Sequence, residues 1–166
     1  MGLLQDLILV HYGREPVTSV KAAGQGRHTR AWQVGKPDGL WVSVEGEDDW
    51  PSWCRDNDFE LPSLAVATRV ILKPDAKVLL LSNTDQLRNF RDLFKTRLLP
   101  QLPQDQIAWE DVARIYGGVV IAPYVWSLRL ARGFSWYYGW DCASGCLWDP
   151  DVVDRLEPHV LREAAA

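Results

Sequence analysis

The chain has 166 residues, 47% hydrophobic and 24% charged, with a mean hydropathy of -0.18, which suits one globular domain with its own core and excludes a disordered chain. A net charge of -4 and a pI near 5.3 provide no basic field to draw the protein onto nucleic acid phosphates. Three cysteines make no complete disulfide framework and point to a reducing, cytoplasmic compartment, while the apolar run at 3–10 is broken by Asp6 and lacks signal-peptide features, and no run reaches membrane-spanning length.

In chain order, residues 7–12 (LILVHY) read as a buried strand that delivers His11 and Tyr12 at its end. Residues 13–39 form a long, glycine-rich connection carrying Arg14, Lys21, Arg27, His28 and Arg30. Connections of this length in a compact domain are more often functional than idle. Residues 40–44 (LWVSV) alternate as a second strand, with Leu40, Val42 and Val44 on one face and Trp41 and Ser43 on the other. A short helix is predicted over 48–57, capped by Asp48 or Asp49, with Pro51 in its first turn.

Strands follow at 65–72 and 77–81, joined by the Lys73-Pro74-Asp75 turn. Leu87, Phe90, Phe94 and Leu98 recur at helical spacing and predict a helix over 84–98 with Asn83 or Thr84 as its cap. A second helix is predicted over 109–115, closed by Tyr116-Gly117-Gly118. Residues 119–122 read as a strand and 124–130 as a short helix or a turn. Two short strands are predicted at 136–140 and 145–148 around a turn at 141–144, and a terminal helix at 150–161. The fold class is α+β, one domain over 1–166, with short helices interspersed among the strands.

Residues 136–150 (WYYGWDCASGCLWDP) concentrate aromatics with polar edges, an acid and small residues that leave backbone room. That mixture suits a pocket for a planar ligand, and equally an aromatic core. No Gly-rich phosphate loop or dinucleotide fingerprint is present. Cys142 and Cys146 stand four apart and the other Cys and His are scattered, so no metal-ligand spacing emerges. A Ser/His/Asp set can be drawn from Ser144, His11 and Asp141, but no Gly-x-Ser-x-Gly elbow supports it. A Cys among Trp residues reads as buried and inert rather than as a nucleophile. The acids Glu45, Glu47, Asp48 and Asp49 read as a solvated cluster.

Three segments in order, LVHYG (9–13), GLWVS (39–43) and SGCLWDPDVV (144–153), resemble the ADP-ribosyltransferase superfamily. In that family a first strand supplies a His or Arg. A second strand carries a small hydroxyl or a Tyr and leads to a helix. A late strand bears an acid and runs into an aromatic-Asp/Asn-Pro turn. The resemblance spans nearly the whole chain and implies split sheets with a cleft between two small sheets.

The resemblance also implies an activity, the transfer of ADP-ribose from NAD as substrate to a macromolecular acceptor with inversion at the anomeric carbon. A protein acceptor is favoured over nucleic acid, and no membrane is involved. His11 would hold the nicotinamide-side ribose, with Gly13 letting the backbone approach the nicotinamide amide. Ser43 would contact ribose or support His11. Trp41, Tyr137 or Tyr138 would sandwich the ring. Tyr12, Arg14 and Ser144 complete the implied NAD contacts, with Arg14, Arg27 and Arg30 toward the pyrophosphate. Ser144 stands where the family carries Glu, four residues before Trp148, and Asp141 is the nearest carboxylate to take over the acid's work, with Glu45 and Glu47 behind it.

Each of these residues has a plainer reading. His11 can be a satisfied strand-end imidazole, Ser43 an ordinary strand hydroxyl, and Asp141 a turn cap. Trp41, Trp50 and Trp53 can simply pack a core. The competing function is a non-catalytic nucleotide- or protein-binding module.

Overall fold

The protein is described as a computed structural model over residues 3–20, 36–96 and 106–160. Lys21, Arg27, His28, Arg30, Leu98 and Leu161 lie outside the described residues.

After a short helix α1 (Leu3–Asp6), strand β1 (Leu9–Gly13) sends Leu9 and Val10 into the core. Strand β2 (Leu40–Val44) forms over the predicted residues, but Val42, Ser43 and Val44 are all buried, so its burial does not alternate. Helix α2 (Trp50–Asn57) starts where Asp49 accepts the Ser52 N–H at 2.9 Å and where Pro51, which has no N–H to satisfy, fits the first turn. It ends at Asp58 in left-handed backbone. A 3-10 turn (Leu61–Leu64) then leads into β3 (Val66–Leu72) and β4 (Val78–Leu81).

Helix α3 (Thr84–Phe94) is capped by Asn83, which accepts the Gln86 N–H at 2.9 Å. The helix is shorter than its periodicity predicts. Lys95 turns extended and bridges to Ile107, so the chain exchanges helical bonds for a small antiparallel contact. Helix α4 (Trp109–Ala113) and strand β5 (Gly118–Ile121) complete a crossover that leaves β4 and β5 parallel.

Two predicted elements come out differently. Residues Ser135–Tyr138 form a helical turn, α5, rather than a strand. Trp136, Tyr137 and Trp140 are all buried, and their spacing is that of one helix face, whereas a half-exposed strand would bury alternate residues. The second strand of that pair, β6 (Ser144–Leu147), forms as expected. The predicted terminal helix is a single 3-10 turn (Pro150–Val152) followed by strand β7 (Val153–His159). Asp149 caps the turn through the Asp151 N–H at 2.9 Å. Helix propagation to 161 would have put Pro158 in its interior, where the ring removes a bond and clashes with the preceding turn. The open edge of β3 takes the segment instead, and Pro158 sits in an edge strand that tolerates it.

The strands form one seven-stranded sheet in the order β4-β5-β6-β2-β1-β3-β7, so the expected two small sheets are joined into one. The joint is narrow. β1 pairs with β3 over five residue pairs and β2 with β6 over four, but β1 and β2 pair only at Leu9↔Val44 and Val10↔Ser43. On the β4-β5-β6-β2 side, an aromatic cluster fills the core: Trp109 lies 5.8 Å from Phe90, 6.1 Å from Trp140 and 6.4 Å from Trp148 by ring centroids. Among the described residues no helix is long and apolar enough to cross a membrane.

Candidate functional site

The narrow joint between β1 and β2 creates the site. The Glu45 N–H bonds the Ile8 carbonyl, so by strand alternation Ser43 and Trp41 also aim their backbone groups at β1. The ladder stops after Val10↔Ser43, and the Trp41 carbonyl is taken instead by the His11 Nδ1 at 2.7 Å. A carbonyl oxygen only accepts, so Nδ1 carries a proton and Nε2 is the ring nitrogen left to face a ligand. Gly13 leaves that nitrogen uncovered, since a Cβ there would stand 3.4 Å from Nε2.

Around this point lies a cleft of about 420 Å³, lined by His11, Tyr12, Trp41, Ser43, Asp141 and Ser144, together with Lys36, Trp50, Glu60, Ser63 and Trp140. That size falls within the roughly 300–1,000 Å³ of small-molecule sites. Trp41 meets Trp140 edge-on at 4.8 Å, and Lys36 Nζ stands 5.2 Å from the Trp41 ring centroid. The Trp140 Nε1 and Ser63 Oγ are buried without a hydrogen-bond partner among the described residues. Burial, aided by the charges of Asp49 and Glu45, pushes the Tyr12 hydroxyl up to about 12, so it stays a proton donor.

Ser43 serves helix α2. Its Oγ accepts the Trp50 N–H at 2.9 Å, and no hydrogen bond to His11 accompanies it among the described residues. Ser144 is buried and donates to the Cys142 carbonyl at 3.0 Å. Asp141 accepts from Arg129 Nη2 at 3.2 Å. Burial raises its carboxyl above the ordinary range, against the opposing charges of Lys36 and Arg129. Asp141 also faces a second hollow of about 250 Å³, shared with Asp48, Asp56, Trp53 and Trp126.

Tyr137 and Tyr138 do not line the cleft. Tyr137 is fully buried, its ring 5.1 Å from Tyr124 and its hydroxyl accepting the Val125 N–H at 2.9 Å. Tyr138 is exposed and covers the Arg129 guanidinium at 5.2 Å. The helical turn that replaces the predicted strand rotates both rings away from the cleft. Arg14 is exposed and outside the lining.

The acid cluster is not simply solvated. The Glu45 side chain is 6% exposed with Oε2 3.3 Å from His159 Nε2, Asp49 caps α2, and Asp48 accepts from the Trp126 Nε1 at 3.1 Å. Cys142 and Cys146 are buried, and burial pushes the Cys142 thiol to about 12 and the Cys146 thiol well above its ordinary value. Neither is a thiolate nucleophile at neutral pH. Among the described residues no group of three or more His, Cys, Asp or Glu is placed to hold a metal ion.

Sequence reasoning missed Lys36, Glu60 and Ser63 as cleft residues. None sits in a motif, and each arrives through chain packing that local periodicity does not encode. Trp140 was accessible as a helical-face residue three after Tyr137. Comparison with family models, with curated proteins and with solved structures finds no match.

Proposed function

We propose that the cleft binds NAD and that the protein transfers ADP-ribose from it to a macromolecular acceptor, as a divergent ADP-ribosyltransferase-like protein. The observation that carries this reading is convergence. His11, Trp41 with Ser43, and Asp141 with Ser144 come from three distant segments and line one cleft at the place where β1 and β2 part.

In this reading the aromatic wall of Trp41 and Trp140 receives the nicotinamide ring. The His11 Nε2 lone pair accepts a ribose hydroxyl, and Tyr12 donates to a ligand oxygen. Lys36, at the exposed rim, meets pyrophosphate charge. The glycosidic C–N bond breaks with its electron pair leaving on nicotinamide. The acceptor nucleophile forms the new bond from the opposite face and releases its proton. Asp141 stabilises the positive charge that develops on the ribose, provided Arg129 yields it. The second hollow reaches Asp141 from another side and is the direction from which an acceptor approaches.

The test is incubation of the pure protein with labelled NAD, with and without cell lysate, alongside H11A and D141A. Label transferred or nicotinamide released by the wild type, and lost in both variants, supports the reading. The second reading is a nucleotide- or protein-binding module without turnover. It is favoured by two features: Ser144 stands where the resemblance expects Glu, and Arg129 already holds Asp141. Binding of NAD with no nicotinamide released would decide for it.

A further inference from the structure

Two carboxylates line the cleft, and they differ in their state. Asp141 is engaged by Arg129. Glu60 enters the 3-10 turn (Leu61–Leu64) with φ 45° and ψ 33°. Left-handed backbone is unfavourable for a residue with a Cβ and costs glycine nothing.

The one other non-glycine residue with positive φ among the described residues is Asp58, at φ 48°, and its conformation has a local reason. It ends α2, with its own N–H directed at the Arg55 carbonyl and the Phe59 N–H bonding the Cys54 carbonyl. Glu60 has less local reason. Its carbonyl accepts the Ser63 N–H at 2.7 Å, an interaction that glycine would make equally well. Glu60 lines the cleft and is exposed, and its carboxylate makes no hydrogen bond or ion pair within the described residues. One turn later Ser63 carries its buried, unpartnered Oγ into the same lining. What singles out this rim is left-handed backbone that sets an exposed glutamate at the cleft, next to a buried hydroxyl that has no partner among the described residues.

We propose that Glu60 and Ser63 form a sugar-hydroxyl subsite in which the Glu60 carboxylate accepts hydrogen bonds from a vicinal diol of the ligand and Ser63 Oγ completes them. This rests on the reading that the cleft takes a ribose-bearing nucleotide, and it adds a ligand-binding carboxylate independent of Asp141. Two oxygens on one carboxylate match two adjacent hydroxyls, and the charge makes each bond stronger than one to a neutral acceptor.

The experiment is calorimetric titration of wild type, E60G, E60Q, S63A and D58G with NAD, ADP-ribose and AMP, and with 2′,3′-dideoxy-AMP, next to a thermal melt of each protein. E60G should melt at or above the wild type, because relief of left-handed strain offsets the extra unfolded freedom of glycine. It should nevertheless bind the diol ligands about tenfold or more weakly. D58G, with the same relief away from the cleft, should bind as the wild type does. The dideoxy nucleotide should bind wild type weakly and lose nothing more in E60G. E60Q keeps the size of the side chain and removes its charge, so it carries the same comparison if E60G does not fold. Diol ligands bound equally by wild type, E60G and E60Q overturn the subsite alone. Equal losses for AMP and its dideoxy form overturn it too. Wild type binding none of the four compounds overturns both the subsite and the nucleotide reading beneath it.

Discussion

Replacing Ser43 with Ala separates a structural role from a ligand-binding one. Ser43 is buried on β2, and its Oγ takes the N–H of Trp50, the first residue of α2. The first N–H groups of a helix have no partner inside it. Asp49 supplies one to Ser52, and Ser43 supplies one to Trp50 from a different element, tying the helix to the sheet. S43A removes only the hydroxyl, so it leaves little cavity and its cost is that of an unpaired N–H in a part-buried place. We expect a loss of about 1–2 kcal/mol. At about 2–4 °C per kcal/mol for a chain of this size, the melting temperature falls by roughly 2–8 °C. The assay is thermal unfolding followed by circular dichroism, with a urea titration in which the midpoint falls and the slope stays constant. An unchanged melt together with weakened NAD binding would refute the reasoning, because Ser43 would then act on ligand and not on the helix.

The remaining predictions concern packing and titration. A Cβ at Gly145 on β6 would stand 2.7 Å from the Val119 carbonyl oxygen and 2.7 Å from Val120 Cγ2, whereas one at Gly46 would meet nothing within 4 Å. G145A should therefore cost about 2–3 kcal/mol by forcing β5 and β6 apart, and G46A should leave the denaturation midpoint nearly unchanged. Equal midpoints for the two variants would contradict the packing of β6.

Burial pushes the Tyr12 and Tyr124 hydroxyls and the Cys142 thiol each up to about 12. In the unfolded chain these groups ionise near their ordinary values of about 10 and about 8.5. Between those values and about 12 the unfolded chain has released protons that the fold still holds. The stability they contribute is therefore complete at lower pH and is lost as the pH rises toward about 12. Urea midpoints should fall across that window, and the phenolate absorbance of Tyr12 and Tyr124, read against Y12F and Y124F, should emerge with unfolding. Phenolate appearing near pH 10 in a folded chain would show those side chains to be open to water.

Local chemistry was readable wherever a signal closes within a few residues. LWVSV forms β2 over its predicted span, Asp49 and Asn83 cap their helices, and Trp136, Tyr137, Trp140 and Trp148 populate the core. His11, Trp41, Ser43, Asp141 and Ser144 are candidates through the ordered resemblance rather than through any one local signal, and they line one cleft. Partner choice was not readable. Residues 153–159 become a strand because β3 has an edge to offer, and that edge exists only after the sheet is assembled. Ser43 serves Trp50 because α2 folds back over β2, and Tyr137 turns inward because α5 is helical. Glu60 and Ser63 reach the cleft through a 3-10 turn with no motif of its own. A residue's period along the chain is set by its neighbours in sequence. What its hydrogen bonds and its exposed face finally meet is set by segments far away, brought near only by burial of the common core.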